Sequence, residues 1–303
     1  MSFTFGSDPE FMIVNNNGDL VSAVGVIKAD ADHRINAKGH QFYFDNVLAE
    51  CAIAPSASRA KTLSNFQECM GLYAEMVAPH KLVPLAYALY PDSELQTEEA
   101  RKVGCSPDKC AYKLAEVKAP VKIIENTPNR SGGGHIHLGK ASLHNDYGFY
   151  LAPTIVLCDL FLGIPSLYID HDPTSAKRRE IYGQAGRYRI KDYGLEYRTL
   201  SNFWLASPKL TGFIYDLCEV VLDIVENRFE EFVDGDQDVY YSETPAKAYK
   251  YRFDAKAVRE AIDKSIKSNV TDFFVSQLPA GLRKDFDNLC KPQEYDMYRE
   301  WNL

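Results

Sequence analysis

Along the chain, apolar and polar positions switch between a two-residue and a helical period, and each switch predicts an element. Residues 3–14, FTFGSDPEFMIV, alternate like a strand with a turn-like Gly-Ser-Asp-Pro interruption. Asn15-Asn16-Asn17-Gly18-Asp19 predicts a hairpin turn, after which LVSAVGVI resumes as a second strand. Polar residues 30–40 predict an exposed loop, and residues 41–55, QFYFDNVLAECAIAP, predict another strand. Ser56 is the expected N-cap of a helix over 58–78, whose Leu63, Phe66, Met70, Tyr73 and Val77 recur at helical spacing as core positions. Residues 117–126 predict a short strand leading into Asn129–Gly139, itself strand-like. Residues 146–163 have the apolar density of a buried helix with Asp159 inside it, ended by Pro165. Beyond Pro208 the pattern is helical: an amphipathic run KLTGFIYDLCEVVLDIVENRFEEF, another at 255–268, a further helix near 272–278 and an aromatic tail.

These elements predict an α+β fold with a curved, mainly antiparallel sheet whose concave face carries the site and whose helices pack outside. A single body of residues 1–303 is expected, with sheet and site in 1–205 and a mostly helical C-terminal extension in 206–303.

Composition narrows the function. The 303 residues are 46% hydrophobic and 25% charged, an ordinary globular balance. A net charge of −8 argues against a broad nucleic-acid surface, though a modified base as substrate stays open. No run of about 18 or more apolar residues is evident, so no membrane span is expected. The start MSFTFGSDPEF lacks a charged segment followed by an apolar one, and seven irregularly spaced cysteines suggest reduced thiols, so a cytoplasmic protein is expected. Cys105 and Cys110 form a lone C-x4-C pair, a weak zinc signal.

The chemistry concentrates in a few short stretches. Asn129-Arg130-Ser131-Gly132-Gly133-Gly134-His135-Ile136-His137-Leu138-Gly139 puts two imidazoles on one face of a strand, behind glycines that permit close approach of the backbone. Such a pair suits a metal with an anion beside it; the plain alternative is a Gly-rich hairpin with two partly buried histidines. Asp8 and Glu10 share a side of an extended backbone, and Pro9 between them suits an edge or bulge. Glu50 sits among apolar neighbours, which is costly unless it is paired, metal-bound or turned to solvent. Five arginines fall between residues 178 and 198 of this acidic protein. Arg187 and Arg189 share a strand face, as do Glu196 and Arg198, and arginine's planar fork suits phosphate or carboxylate. The alternative is a set of surface ion pairs worth at most about 1 kcal/mol each. Lys247, Lys250 and Arg252 are further cations that could reach a substrate, in a stretch where packing is otherwise expected. Carboxylates with one or two imidazoles suit Mg²⁺ or Mn²⁺, and adding arginines makes a centre suited to a metal-bridged polyphosphate. Neither a G-x4-G-K-[ST] nor a G-x-S-x-G motif occurs.

In order, GSDPEFMIV, FDNVLAECAIAP, SGGGHIHLG and YGQAGRYRIKDYGLEYRTLSNFW resemble the motifs of the phage-associated COOH-NH2 ligase type 2 family, within the glutamine synthetase and glutamate–cysteine ligase superfamily. The resemblance runs from about residue 3 to residue 204. It implies a glutamine synthetase-like fold and ATP-dependent amide formation through an acyl phosphate, with Mg²⁺ or Mn²⁺. It implies metal ligation by Asp8, Glu10, Glu50, His135 and Glu196, although Asp8 stands where the family usually has a glutamate. It also implies phosphate or substrate contacts from His137, Arg187, Arg189 and Arg198, with Gly133 and Gly134 lining the nucleotide. Arg187, Arg189 and Arg198 are the implied catalytic cations. The expected partners are a small-molecule or peptide carboxylate, an amine and, at most, a second copy of the chain; the setting would be the host cytoplasm if the chain is phage-encoded. A metal-dependent amide hydrolase and a non-catalytic interaction protein on the same fold are the competing readings.

Overall fold

The computed structural model describes residues 3–102, 108–112, 115–117, 127–140, 143, 150–235 and 249–303. Cys105, Lys247 and residues 118–126 of the expected strand lie outside them. The strands of the first two thirds are β1 (Thr4–Ser7), β2 (Glu10–Val14), β3 (Leu20–Val21), β4 (Ile35–Ala37), β5 (His40–Asp45), β6 (Leu48–Ser56), β7 (Lys81–Val83), β8 (Tyr87–Leu89), β9 (Asp108–Cys110), β10 (Ala115–Val117), β11 (Asn129–Ser131), β12 (Ile136–Gly139), β13 (Arg187–Lys191) and β14 (Gly194–Tyr197). Twelve of them form one sheet in the order β10-β9-β13-β14-β12-β1-β6-β2-β3, with β4 and β5 added beside β6 and β7 beside β2; β8 and β11 pair separately. Its described strand pairs are antiparallel, so the α+β expectation with a large antiparallel sheet holds.

Registration sorts the side chains into rows. Phe5 opposes Leu138, Leu138 opposes Leu195, and Leu195 opposes Ile190. One residue along each strand, Gly6 opposes His137, His137 opposes Glu196, and Glu196 opposes Arg189. Successive residues point to opposite faces, so one face is apolar and the other carries the chemistry. The apolar face meets helices: the Phe5 ring lies 6.2 Å from Phe66 on helix Arg59–Val77, 5.6 Å from Tyr215 on helix Pro208–Asn227 and 6.0 Å from Trp204. Full burial of such side chains contributes about 1.5–3 kcal/mol each, and a one-residue slip would exchange the two faces.

Several expectations are corrected. Asp8 and Glu10 do not share a strand; β1 ends at Ser7 and β2 begins at Glu10, with Asp8-Pro9 between them where proline needs no ladder partner. The predicted loop at 30–40 contains a hairpin of β4 and β5, because Lys38 and Gly39 turn with φ of 51° and 87°, the primed geometry that matches strand twist. The strand after the Asn-rich turn is two residues long, Leu20–Val21. Ser58, not Ser56, caps the first long helix, accepting from the Lys61 N–H, since Ser56 still belongs to β6. The run ending in FEEF is two helices, Pro208–Asn227 and Phe229–Phe232, followed by the paired strands Val233–Gly235 and Tyr249–Tyr251. Helices Ala280–Leu289 and Met297–Trp301 were not anticipated.

Pro165 does not end its helix. Helix Leu151–Cys158 widens into a π-turn at Asp159–Gly163, where the Ile164 N–H reaches back to the Asp159 carbonyl, and continues as Ile164–Ile169. Proline then falls in a first helical turn, where its missing N–H is tolerated. Contrary to expectation, Leu151–Ile169 is thus 19 residues long and apolar enough to cross a membrane by length and composition; 89% of its apolar window is buried inside the fold.

Asp159 is fully buried there and accepts a hydrogen bond of 2.7 Å from the Tyr197 hydroxyl. Burial pushes its carboxyl up to about 7. Folding therefore favours the protonated acid, a contribution fully present below the unfolded value near 4 and lost as pH rises toward 7. Asp159→Asn keeps an acceptor without a charge. In thermal melts its advantage over the parent protein should be negligible near pH 4 and grow to at most roughly 4 kcal/mol by pH 8. A difference that stays flat with pH would contradict burial of the charge as the cause.

Candidate active site

The polar face gathers residues from distant segments of the chain. Asp8, between β1 and β2, lies 3.1 Å from His135 Nδ1 and 3.0 Å from His137 Nε2 through its Oδ1. Glu196, opposite His137 on β14, is fully buried and lies 3.6 Å from both His135 Nδ1 and Arg189 Nη1. Lys191 Nζ reaches Glu196 Oε2 at 2.6 Å, and the Arg198 guanidinium hydrogen-bonds both Glu196 and the Tyr182 hydroxyl. Gly6 opposes His137 from β1 and contributes no side chain to this crowded row.

A second acidic group adjoins the first. Glu10 opposes Glu50, and Glu50 opposes Tyr43, across β2, β6 and β5. Asp45, two residues beyond Tyr43 on the same face of β5, completes it. The ligand oxygens of Glu10, Asp45 and Glu50 lie within 4.8 Å of one another, as do the donor atoms of Asp8, His137 and Glu196. The Tyr43 hydroxyl donates to Glu50 Oε1 at 2.6 Å, and the Gly133 N–H donates to Glu10 Oε2 at 2.7 Å.

The two groups differ electrostatically. In the first, burial opposes ionisation of Asp8, but His137 and His135 hold its carboxyl well below the usual range. His135 is buried and pushed down to about 3, first by burial and then by the Arg198 charge, so it is a neutral imidazole. In the second, burial and then the Asp45 charge raise Glu10 to about 7, while burial and then Glu10 push Glu50 well above its ordinary value. Three carboxylates so close, Glu50 buried and Glu10 and Asp45 half-buried, repel one another unless a cation joins them. An all-oxygen set suits Mg²⁺ or Mn²⁺, and two carboxylates with one imidazole are compatible with the same ions. The tautomer that donates Nδ1–H to the Tyr193 hydroxyl, 2.8 Å away, leaves His137 Nε2 a lone pair.

Every residue expected to hold metal, phosphate or nucleotide is described, and most converge. Asp8, Glu10, Glu50, His135, His137, Arg189, Glu196 and Arg198 meet on this face. The three-donor group draws its imidazole from His137, whereas His135 is the more buried and hydrogen-bonds Asp8. Arg187 is nearly buried and paired with Asp108 at 3.1 Å, with Arg198 Nε 3.7 Å from the same carboxylate. Lys250 and Arg252 are exposed beside the strand pair Val233–Gly235 and Tyr249–Tyr251. Asp45, Asp108, Lys191 and Tyr193 were not singled out from sequence. A signal existed for Asp45, since a two-residue turn at Asn46-Val47 forces Tyr43 opposite Glu50.

The glycines serve close packing. The N–H groups of Gly132, Gly133 and Gly134 go to the Ala86 carbonyl, Glu10 and the Leu200 carbonyl. A Cβ on Gly134 would sit 2.5 Å from Trp204 Nε1 and 2.6 Å from the Ser201 carbonyl oxygen; one on Gly133 would sit 2.6 Å from His135 Nε2. Because backbone and a buried tryptophan cannot yield, Gly134→Ala should cost about 3 kcal/mol in denaturant unfolding. A loss below about 0.5 kcal/mol, the scale of surface substitutions, would show that the strand has slack.

No curated protein matches the chain. Among solved structures it is similar to a bifunctional glutathione synthetase from Pasteurella multocida, with a TM-score of 0.53 and 11% identity over 99% of this chain and 48% of that one. The chain thus spans about half the length of that protein, and likeness at this identity concerns the fold. The profile of a family described as phage phiEco32-like COOH.NH2 ligase-type 2 matches residues 124–283, which hold both histidines, Glu196 and all five clustered arginines. With more than half of its 303 residues matched, the chain belongs to the phage phiEco32-like COOH.NH2 ligase-type 2 family.

Proposed function

We propose that the protein is an ATP-dependent carboxylate–amine ligase with a glutamine synthetase-like sheet, acting as one domain in the cytoplasm. The observation that carries this reading is the pair of adjacent acidic donor groups with Arg189, Lys191 and Arg198 converging on one of them. Asp8, His137 and Glu196 would hold one Mg²⁺ or Mn²⁺, and Glu10, Asp45 and Glu50 a second. Bound there, these ions would supply positive charge to the nucleotide phosphates.

In the proposed reaction a carboxylate oxygen of the acid bonds to the γ-phosphorus of ATP while the bond to the bridging oxygen of ADP breaks. The amine nitrogen then bonds to the acyl carbon, the carbon–oxygen bond to phosphate breaks, and the surplus amine proton leaves with the phosphate. Arg189 and Arg198 offset charge on the transferring group, and Arg187, braced by Asp108, orients that edge. Neutral His135 orients Asp8 through its Nδ1 contact, and Gly133 and Gly134 keep the backbone close. The substrates are a small-molecule or peptide acid and an amine, and the chain acts alone or as a homo-oligomer.

Calorimetry tests the nucleotide site. ATP should bind the full chain in the presence of Mg²⁺ or Mn²⁺ and not in chelator, and His137→Ala should abolish that dependence. Equal binding with and without divalent ion would overturn the reading.

A further inference from the structure

Arg178, on helix Ser175–Ile181, belongs to neither donor group, yet its position is costly. The residue is 1% exposed, and its one hydrogen bond among the described residues runs from Nη1 to the Thr199 carbonyl at 2.8 Å. Nε and Nη2, which form the side edge of the planar fork, are buried without an acceptor among the described residues. Among the described residues no carboxylate pairs with it. Arg179 and Arg198 each leave Nε alone without an acceptor among those residues, whereas Arg178 leaves two nitrogens of one edge. Arg130 gives Nε to Asn46 and both terminal nitrogens to the carbonyls of Thr127, Asn129 and Ala100. Arg179 reaches the Ser166 and Ser265 hydroxyls. A buried guanidinium with an open bidentate edge is the arrangement that an oxyanion completes.

Its surroundings point that edge's function to the candidate site. The Tyr182 ring contacts both guanidinium groups, its centroid 5.3 Å from Arg178 Cζ, 5.4 Å from Arg198 Cζ and 6.0 Å from that of the His135 ring. The Arg178 charge acts on Glu10 and on His135, one residue from each side of the site. Gly183, with φ of 76°, leaves the space that Nη1 fills; any Cβ there would strike it.

We propose that Arg178 is an oxyanion-binding residue of this site, its Nε–H and Nη2–H edge holding the phosphoryl group that is transferred and then released as inorganic phosphate. The identity of the oxyanion rests on the ligase reading above; the binding edge itself does not. Inorganic phosphate, ADP and ATP, the nucleotides with Mg²⁺, are titrated into the full chain and into Arg178→Gln and Arg178→Lys. Phosphate should stabilise the parent protein, and ATP should bind more tightly than ADP. Arg178→Gln should lose the phosphate response and reduce the ATP-over-ADP preference at least tenfold, with ADP affinity kept within about twofold. It should melt no lower than the parent protein without ligand, since an unpaired buried charge is gone. Arg178→Lys should restore part of the preference. An unchanged preference with the phosphate response intact, or equal loss of ATP and ADP affinity with a lowered melting temperature, would overturn the inference. Arg178-dependent phosphate binding in a protein that forms no ADP with any acid and amine would leave the inference standing and remove the ligase reading. ADP formation with a phosphate response indifferent to Arg178 would do the reverse.

Discussion

Replacing Glu50 by glutamine is expected to raise the stability of the metal-free protein and to abolish its catalysis. Glu50 is buried beside Glu10 and Asp45, with burial first and Glu10 second opposing its charge. Glutamine retains the acceptor that Tyr43 uses at 2.6 Å and removes one of three converging charges. A gain of roughly 1 kcal/mol at pH 8 is the scale seen when a functional residue is exchanged for stability. Activity should fall about 1000-fold, the effect of losing one preorganised electrostatic group, and stabilisation by added Mg²⁺ should shrink with it. Thermal melts with and without Mg²⁺, beside a turnover assay, read all three quantities. A metal-free variant less stable than the parent would show that the carboxylates are held by something other than a cation.

Glu196→Gln has the same expected effect on activity and the opposite one on stability. Glu196 is fully buried, and Arg189, Lys191 and Arg198 converge on it. Removing the anion leaves those cations facing a neutral amide in a low-dielectric setting. Breaking a buried pair in this way costs about 3–5 kcal/mol. Metal-dependent nucleotide binding should disappear, because the variant keeps only Asp8 and His137 of the first donor group. Equal stability of the two variants would mean that the groups do not differ in charge balance as described.

Much of this contrast was open to sequence reasoning. Period-two alternation puts Gly6, His137, Glu196 and Arg189 on the face opposite Phe5, Leu138, Leu195 and Ile190, and the pairing registers keep both rows intact. What escaped depends on contacts between distant segments. That His137 rather than His135 stands opposite Glu196 is set by the register of β14 on β12, which local spacing cannot supply. Asp108, which engages Arg187, comes from a strand 79 positions earlier in the chain, counting 187 minus 108. The reason for three successive glycines lies in Leu85, Asn202, His135 and Trp204 rather than in their own backbone angles. Asp45 differs: it stands inside the motif FDNVLAECAIAP, and the β5–β6 hairpin turn alone aligns it with Glu50's face. The helix through Pro165 escaped because a π-turn relocates the proline, and single-residue rules read proline as a stop.

Oxygen tracing tests the central claim most directly. The chain is given ATP, Mg²⁺ and a panel of amines, each with an acid whose carboxylate carries ¹⁸O, and both amide and phosphate are weighed by mass spectrometry. The account predicts that an active pair yields amide and ADP together, with one ¹⁸O delivered to each phosphate released. Phosphate that carries only solvent or nucleotide oxygen, or ADP formation indifferent to every acid and amine, would contradict it.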